Sequence, residues 1–96
     1  MKNADMLLED ALALHRAGHF ADAEAAYRDL LAAEPEHPEA MYFLGLCRHQ
    51  LGFHDEAVKL IITALKARPR DPQMLFNLGL VQTAAGQCDS AAETFR

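Results

Sequence analysis

Apolar residues recur along this chain at intervals of three and four, and no segment shows the alternation of a half-buried strand. Between residues 38 and 51, Met41, Leu44, Cys47 and Leu51 fall on one side of a helix. Pro38 suits the first turn of that helix, where its missing N–H would be unpaired anyway. Gly52 follows the last turn and can take the positive φ that ends a helix. The segment from Asp55 to Arg68 places Asp55 and Glu56 in its first turn and Lys66 and Arg68 in its last. That charge order complements the helix dipole at both ends. Pro69 stops the segment, because proline disfavours helical geometry in the residue before it.

The same arrangement returns at a fixed offset. Gly18, Gly52 and Gly86 stand 34 residues apart, and so do Ala11, Gly45 and Gly79. Ala23, Ala57 and Ala91 keep that spacing, as do Leu12, Leu46 and Leu80, and Tyr27, Ile61 and Phe95. Pro35 and Pro38 match Pro69 and Pro72. The chain is built of repeats. The pattern predicts helices near 4–17, 21–33, 38–51, 55–67, 72–85 and 89–96. It predicts one all-α domain of three helix pairs, residues 4–37, 38–71 and 72–96, with the third pair cut short. Recurrent small residues mark places where helices approach closely. Gly45 and Ala57 are expected to form the crossing within the second pair, and Ala64 to admit the first helix of the third.

Residues 38–71 present Met41, Leu44-Gly45, Gly52, Ala57, Ile61, Ala64 and Pro69 in order, and residues 72–96 present Leu75, Leu78-Gly79, Gly86, Ala91 and Phe95. Residues 4–37 depart from this, with Asp10-Ala11 in place of Leu-Gly and Leu30 in place of alanine. An edge unit tolerates such a departure. The pattern resembles the tetratricopeptide repeat family over nearly the whole chain. The resemblance implies a right-handed α-α superhelix of antiparallel helix hairpins, whose first helices line a concave groove.

Carried onto this chain, the groove would present Leu8, Leu12 and His15 from the first unit. Tyr42, Phe43, Leu46 and His49 would come from the second, and Phe76, Asn77 and Leu80 from the third. Leu12, Leu46 and Leu80 also suit packing between adjacent helices, which is the preferred reading for them. For Tyr42, Phe43 and Phe76 packing and binding both stand. One branch of the family grips the carboxylate end of chaperone tails with Lys, Asn and Arg. Here Leu8, Leu12, Phe43, Gln73 and Asn77 occupy those places, so the charge-assisted bonds are missing. Asn77 resembles one rung of the asparagine ladder of glycosyltransferase-linked repeats, but Phe43 and Glu9 break that ladder.

Charge narrows the choice of partner. The chain has a formal charge of -5, and its 9 lysines and arginines are dispersed among acids. Nucleic-acid binding needs clustered cations to displace counterions, and is not expected. The most apolar run, Leu60 to Leu65, is too short to cross a bilayer. No secretory signal is evident behind Met1, and a cytoplasmic location is expected. Cys47 and Cys88 have no partner at metal or redox spacing, and Cys47 falls on the packed stripe. His15 and His19 share metal-ligand spacing, but Gly18 interrupts their helix and no third ligand follows. His49 and His54 flank the turn at Gly52 in the same way. No histidine is expected beside a cysteine as a nucleophile's base. Asp22, Glu24, Asp55, Glu56 and Asp89 are explained by positions at helix starts. No cofactor, metal or enzymatic activity is expected of this segment.

The sequence therefore points to a scaffold that binds a protein or peptide in its concave groove. Two alternatives accompany it. Residues 13–35 are similar to the front of bacterial repeat proteins joined to glycosyltransferase or sulfotransferase domains, which implies substrate recruitment within a longer protein. The unfinished third unit leaves Ala84, Ala91 and Phe95 without a following helix, which favours self-association.

Overall fold

Helix starts in this chain are set by residues just outside the helices. The Asn3 side chain accepts from the Met6 N–H at 2.9 Å and opens α1, Ala4–Arg16. The His37 Nδ1 accepts from the Ala40 N–H at 3.2 Å at the head of α3, Pro38–Gln50. Asp71 Oδ1 accepts from the Met74 N–H at 3.0 Å and begins α5, Pro72–Ala84. Each bond satisfies a donor that the helix itself leaves unpaired. The other two helices, α2, Phe20–Ala33, and α4, His54–Ala67, follow tight turns and have no side-chain cap. The turns close at Gly18, φ 82°, and Gly52, φ 94°, where a side chain would be strained. There the Phe53 N–H reaches back to the Arg48 carbonyl at 2.8 Å and satisfies an orphan acceptor.

The computed structural model describes residues 3–86, which hold these five α-helices and no strand. The expected helix near 89–96, with Cys88, Asp89, Ala91 and Phe95, lies outside the described residues. The other five helices lie where the periodicity places them, within about one residue at each end. Each helix packs on its neighbour in sequence, and α1 also touches α3. Stacking of this kind places the core between successive hairpins.

Two apolar clusters result. Ala11, Ala23, Tyr27, Leu44 and Cys47 fill the space among α1, α2 and α3. Tyr42, Ala57, Val58, Ile61, Ala64, Met74, Leu78 and Val81 fill that among α3, α4 and α5. The helix α3 thus buries two faces, and Phe43 packs against both clusters. The crossing of α3 over α4 is as tight as the sequence suggests. A Cβ built on Gly45 would lie 3.0 Å from Ile61 Cγ1 and 3.2 Å from the Ala57 carbonyl oxygen. Ala64 is fully buried beside Met74 and Leu78, where α5 joins the stack. Leu51, expected on the packed stripe of α3, is instead the partly exposed residue that ends the helix.

A charged hub ties the outer edge. Arg48 Nη1 donates to Glu24 Oε1 at 2.9 Å, and Arg48 Nη2 donates to Glu56 Oε2 at 2.8 Å. Its guanidinium carbon also sits 3.8 Å from the centre of the Phe53 ring. Arg28 adds a second cation, donating to Glu24 at 2.8 Å. Glu24 and Glu56 therefore do more than sit near helix starts: with Arg48 they join α2, α3 and α4 through side chains. Sequence position alone gives no sign of that.

Candidate functional site

The first helix of each pair contributes to one open trough. Leu12, His15 and Arg16 of α1, Phe43 and Leu46 of α3, and Gln73 of α5 line about 450 Å3 of it. Leu12 and Leu46 are half-buried, so each packs inward while it lines the trough. Phe43 is held on several sides. Its ring stacks on Tyr27 at 6.1 Å and 15°, meets His15 edge-on at 6.3 Å, and tilts against Tyr42 at 5.0 Å. Ring pairs of this geometry fix orientation as well as adding contact energy.

The structure places the other expected groove residues differently. Tyr42 is only 2% exposed, which corrects its assignment to the groove wall. It lies in the core between α3 and α5, and its hydroxyl accepts from Asn77 Nδ2 at 2.6 Å. Burial raises the Tyr42 pKa, while the Asn77 bond opposes that shift. Asn77 also donates to the Gln73 carbonyl at 3.0 Å, so both of its amide protons are engaged within α3 and α5. Leu8 packs half-buried against the first cluster. Phe76 and Leu80 stand exposed on α5, at 57% and 46%. His49 faces the turn, where its Nδ1 lies 2.8 Å from the Nδ1 of His54. One of these nitrogens must donate and the other accept, so the contact excludes a proton on both. The His49 pKa is lowered, first by burial and then by His54.

A histidine does lie beside Cys47, though not as a nucleophile's base. His15 Nδ1 stands 3.4 Å from Cys47 Sγ and 3.2 Å from the Tyr27 hydroxyl oxygen. The two residues are 32 apart in sequence, and only the docking of one hairpin on the next brings them together. Burial lowers the His15 pKa, and Arg16 lowers it further. Burial, with help from Glu24, pushes the Cys47 thiol up to about 12. Burial also raises the Tyr27 pKa. All three groups are therefore held neutral. With the imidazole proton on Nε2, the single Nδ1 lone pair is shared between the hydroxyl at 3.2 Å and the weaker thiol donor at 3.4 Å. A nucleophilic cysteine needs the opposite environment, one that favours thiolate. The cluster is a structural knot behind Phe43. Among the described residues no group of three or more His, Cys, Asp or Glu converges as a metal would require.

The tetratricopeptide repeat profile matches residues 8–61 and again residues 50–96. The chain belongs to the tetratricopeptide repeat family. Tetratricopeptide structures of known coordinates superpose on it over almost its full length. A crystal structure of MamA matches with a TM-score of 0.88 at 22% identity, covering 97% of this chain and 51% of that one. PcrH in complex with the chaperone binding region of PopB matches with a TM-score of 0.88 at 21% identity, covering 96% of this chain and 74% of that one. The type III secretion translocator chaperone SycD of Yersinia enterocolitica matches with a TM-score of 0.85 at 19% identity, covering 95% and 68%. The chain spans about half the length of the MamA structures it matches. No curated protein sequence matches it. At these identities the likeness is one of fold: tetratricopeptide hairpins wound into a right-handed α-α superhelix.

Proposed function

We propose that this chain is a protein-interaction scaffold that takes a peptide or partner helix into the trough of α1, α3 and α5, and has no catalytic chemistry of its own. The observation that carries this reading is the packing of Phe43. Its ring meets His15, Tyr27 and Tyr42, yet it still lines the trough. A large side chain already fixed before binding loses little entropy when a partner arrives. Aromatic anchors of this kind are where binding energy concentrates. PcrH, of the same fold, has been captured with a segment of another protein, which agrees with the reading.

Peptides selected by display against the immobilised chain provide the test. Their affinities are then measured by fluorescence anisotropy on wild type, on Phe43→Ala and on the back-face control Lys59→Ala. The proposal expects a loss of about thirtyfold for Phe43→Ala, the scale of a binding hot spot. Lys59→Ala should bind as wild type does. Equal affinity for all three proteins removes the trough from consideration. Circular dichroism confirms that each variant is folded.

A second reading, self-association, draws on Phe76 and Leu80, which are adjacent on α5 at i and i+4 and both exposed. Light scattering across a concentration series tests it. A molar mass that rises with concentration and falls in Phe76→Ser supports the reading; a constant monomer mass defeats it.

A further inference from the structure

We infer that the segment bound in the trough carries a carboxylate about one helical turn from its apolar anchor, and that Arg16 receives it. This rests on the reading above and adds the chemistry of the partner. The apolar part of the lining is Leu12, Phe43 and Leu46, which suits a leucine-sized or aromatic side chain. Arg16 completes one end of it. It is the last residue of α1, exposed, and makes no ion pair among the described residues. Arg28, Arg48 and Arg68, by contrast, are each engaged by carboxylates of the chain itself.

The rest of the lining adds no competing charge. His15 is neutral in its contact with Tyr27 and Cys47, and Gln73 offers only an amide. The chain is acidic overall, but Glu24, Glu39 and Glu56 are paired with arginines away from this lining. Glu9 is exposed and makes no ion pair among the described residues. It lies on the same stripe of α1 as Arg16, seven residues earlier, about 10 Å along the axis. A carboxylate over Arg16 gains charge-assisted hydrogen bonds from a planar donor fork. The same carboxylate slipped toward Glu9 meets a like charge. Arg16 and Glu9 together fix the register of the occupant, while the apolar contacts supply its affinity. Leu12 is one turn from Arg16, which sets the spacing in a helical occupant at three or four residues between anchor and acid.

The test uses a display-selected peptide remade with Glu, Gln or Lys at each position flanking its apolar anchor. Binding is measured by anisotropy at low and high salt. At one flanking position the Glu peptide should bind about three- to tenfold more tightly than the Gln peptide, and the Lys peptide should be weakest. Arg16→Gln should abolish that ranking and Arg16→Glu should invert it. Added salt should compress it. If Glu, Gln and Lys peptides bind alike at every position while Phe43→Ala still weakens them all, the carboxylate inference fails and the trough stands. If Phe43→Ala leaves every affinity unchanged, the trough reading fails and this inference goes with it.

Discussion

His15 Nδ1 lies 3.4 Å from Cys47 Sγ, joining a side chain of the first hairpin to one of the second. Tyr27 from α2 approaches the same nitrogen at 3.2 Å, and the Phe20 ring stands edge-on to the imidazole at 5.5 Å. Three helices thus meet on one imidazole, which the Phe43 ring also meets edge-on. A charged ring there would lose its solvation and would face Arg16, so the folded state keeps it neutral.

Stability should therefore depend on the protonation of this ring. Folding lowers the His15 pKa, so the unfolded chain binds a proton first as pH falls below the ordinary value of about 6.5. The contribution is complete above that value and is lost as pH drops toward the folded pKa. His49 is shifted in the same direction and adds to the slope. Thermal melts from about pH 7.5 to about pH 5.5 should show a falling Tm. His15→Gln should flatten that fall, and a slope unchanged in both His15→Gln and His49→Gln would contradict the assignment.

Cys47 should be chemically silent while the chain is folded. It is fully buried and its thiol is pushed up to about 12, so almost no thiolate forms near neutrality. In a Cys88→Ser background, native protein should react with iodoacetamide at least on the order of a hundredfold more slowly than protein in denaturant. Similar rates in both states would mean that the thiol is open to solvent.

The crossing at Gly45 can be tested directly. Alanine there gains roughly 1 kcal/mol of helix propensity, but its Cβ would press on Ile61 and on the Ala57 backbone oxygen at 3.0 and 3.2 Å. Overpacking costs about 1–3 kcal/mol, so Gly45→Ala should be neutral to destabilising by up to about 2 kcal/mol. Gly45→Val, larger and β-branched, should lose more. Urea denaturation gives both values, and a stabilised Gly45→Val would show that α3 and α4 are not in close approach.

Replacing Arg48 by Met keeps the hydrophobic stem over Phe53 and leaves Glu24 and Glu56 without that cation. Both Arg48 and Glu24 side chains are mostly shielded, at 15% and 14% exposure. The loss should be about 1–2 kcal/mol at low salt, between the values for exposed and buried pairs, and smaller at high salt. A Glu24→Gln, Arg48→Met double variant should recover part of it. No recovery would mean that the two side chains act independently.

The helices and their crossing could be read from the sequence because they are local. Turn glycines, Pro38 and Pro72, and the spacing of Leu44, Gly45, Ala57 and Ile61 each act within one hairpin. What depends on one hairpin docking against the next was not visible. Tyr42 and Phe43 are neighbours in sequence and share the same composition argument. They part company because Asn77 and Met74 of α5 cover the first, while the second stays at the edge of the trough. His15 beside Cys47, and Arg48 between Glu24 and Glu56, likewise follow from the stacking angle and from no motif. Arg16 carries no signal of its own in the sequence, because a lone arginine at a helix end is ordinarily explained by the helix dipole.

Binding in the trough requires that the concave face of the superhelix meet the partner. Amide chemical-shift mapping with a display-selected peptide measures this directly. The largest perturbations should fall on Leu12, His15, Phe43, Leu46 and Gln73, with α2 and α4 little affected. Perturbations centred on the exposed side of α4, at Lys59, Ile62 and Thr63, would contradict the account.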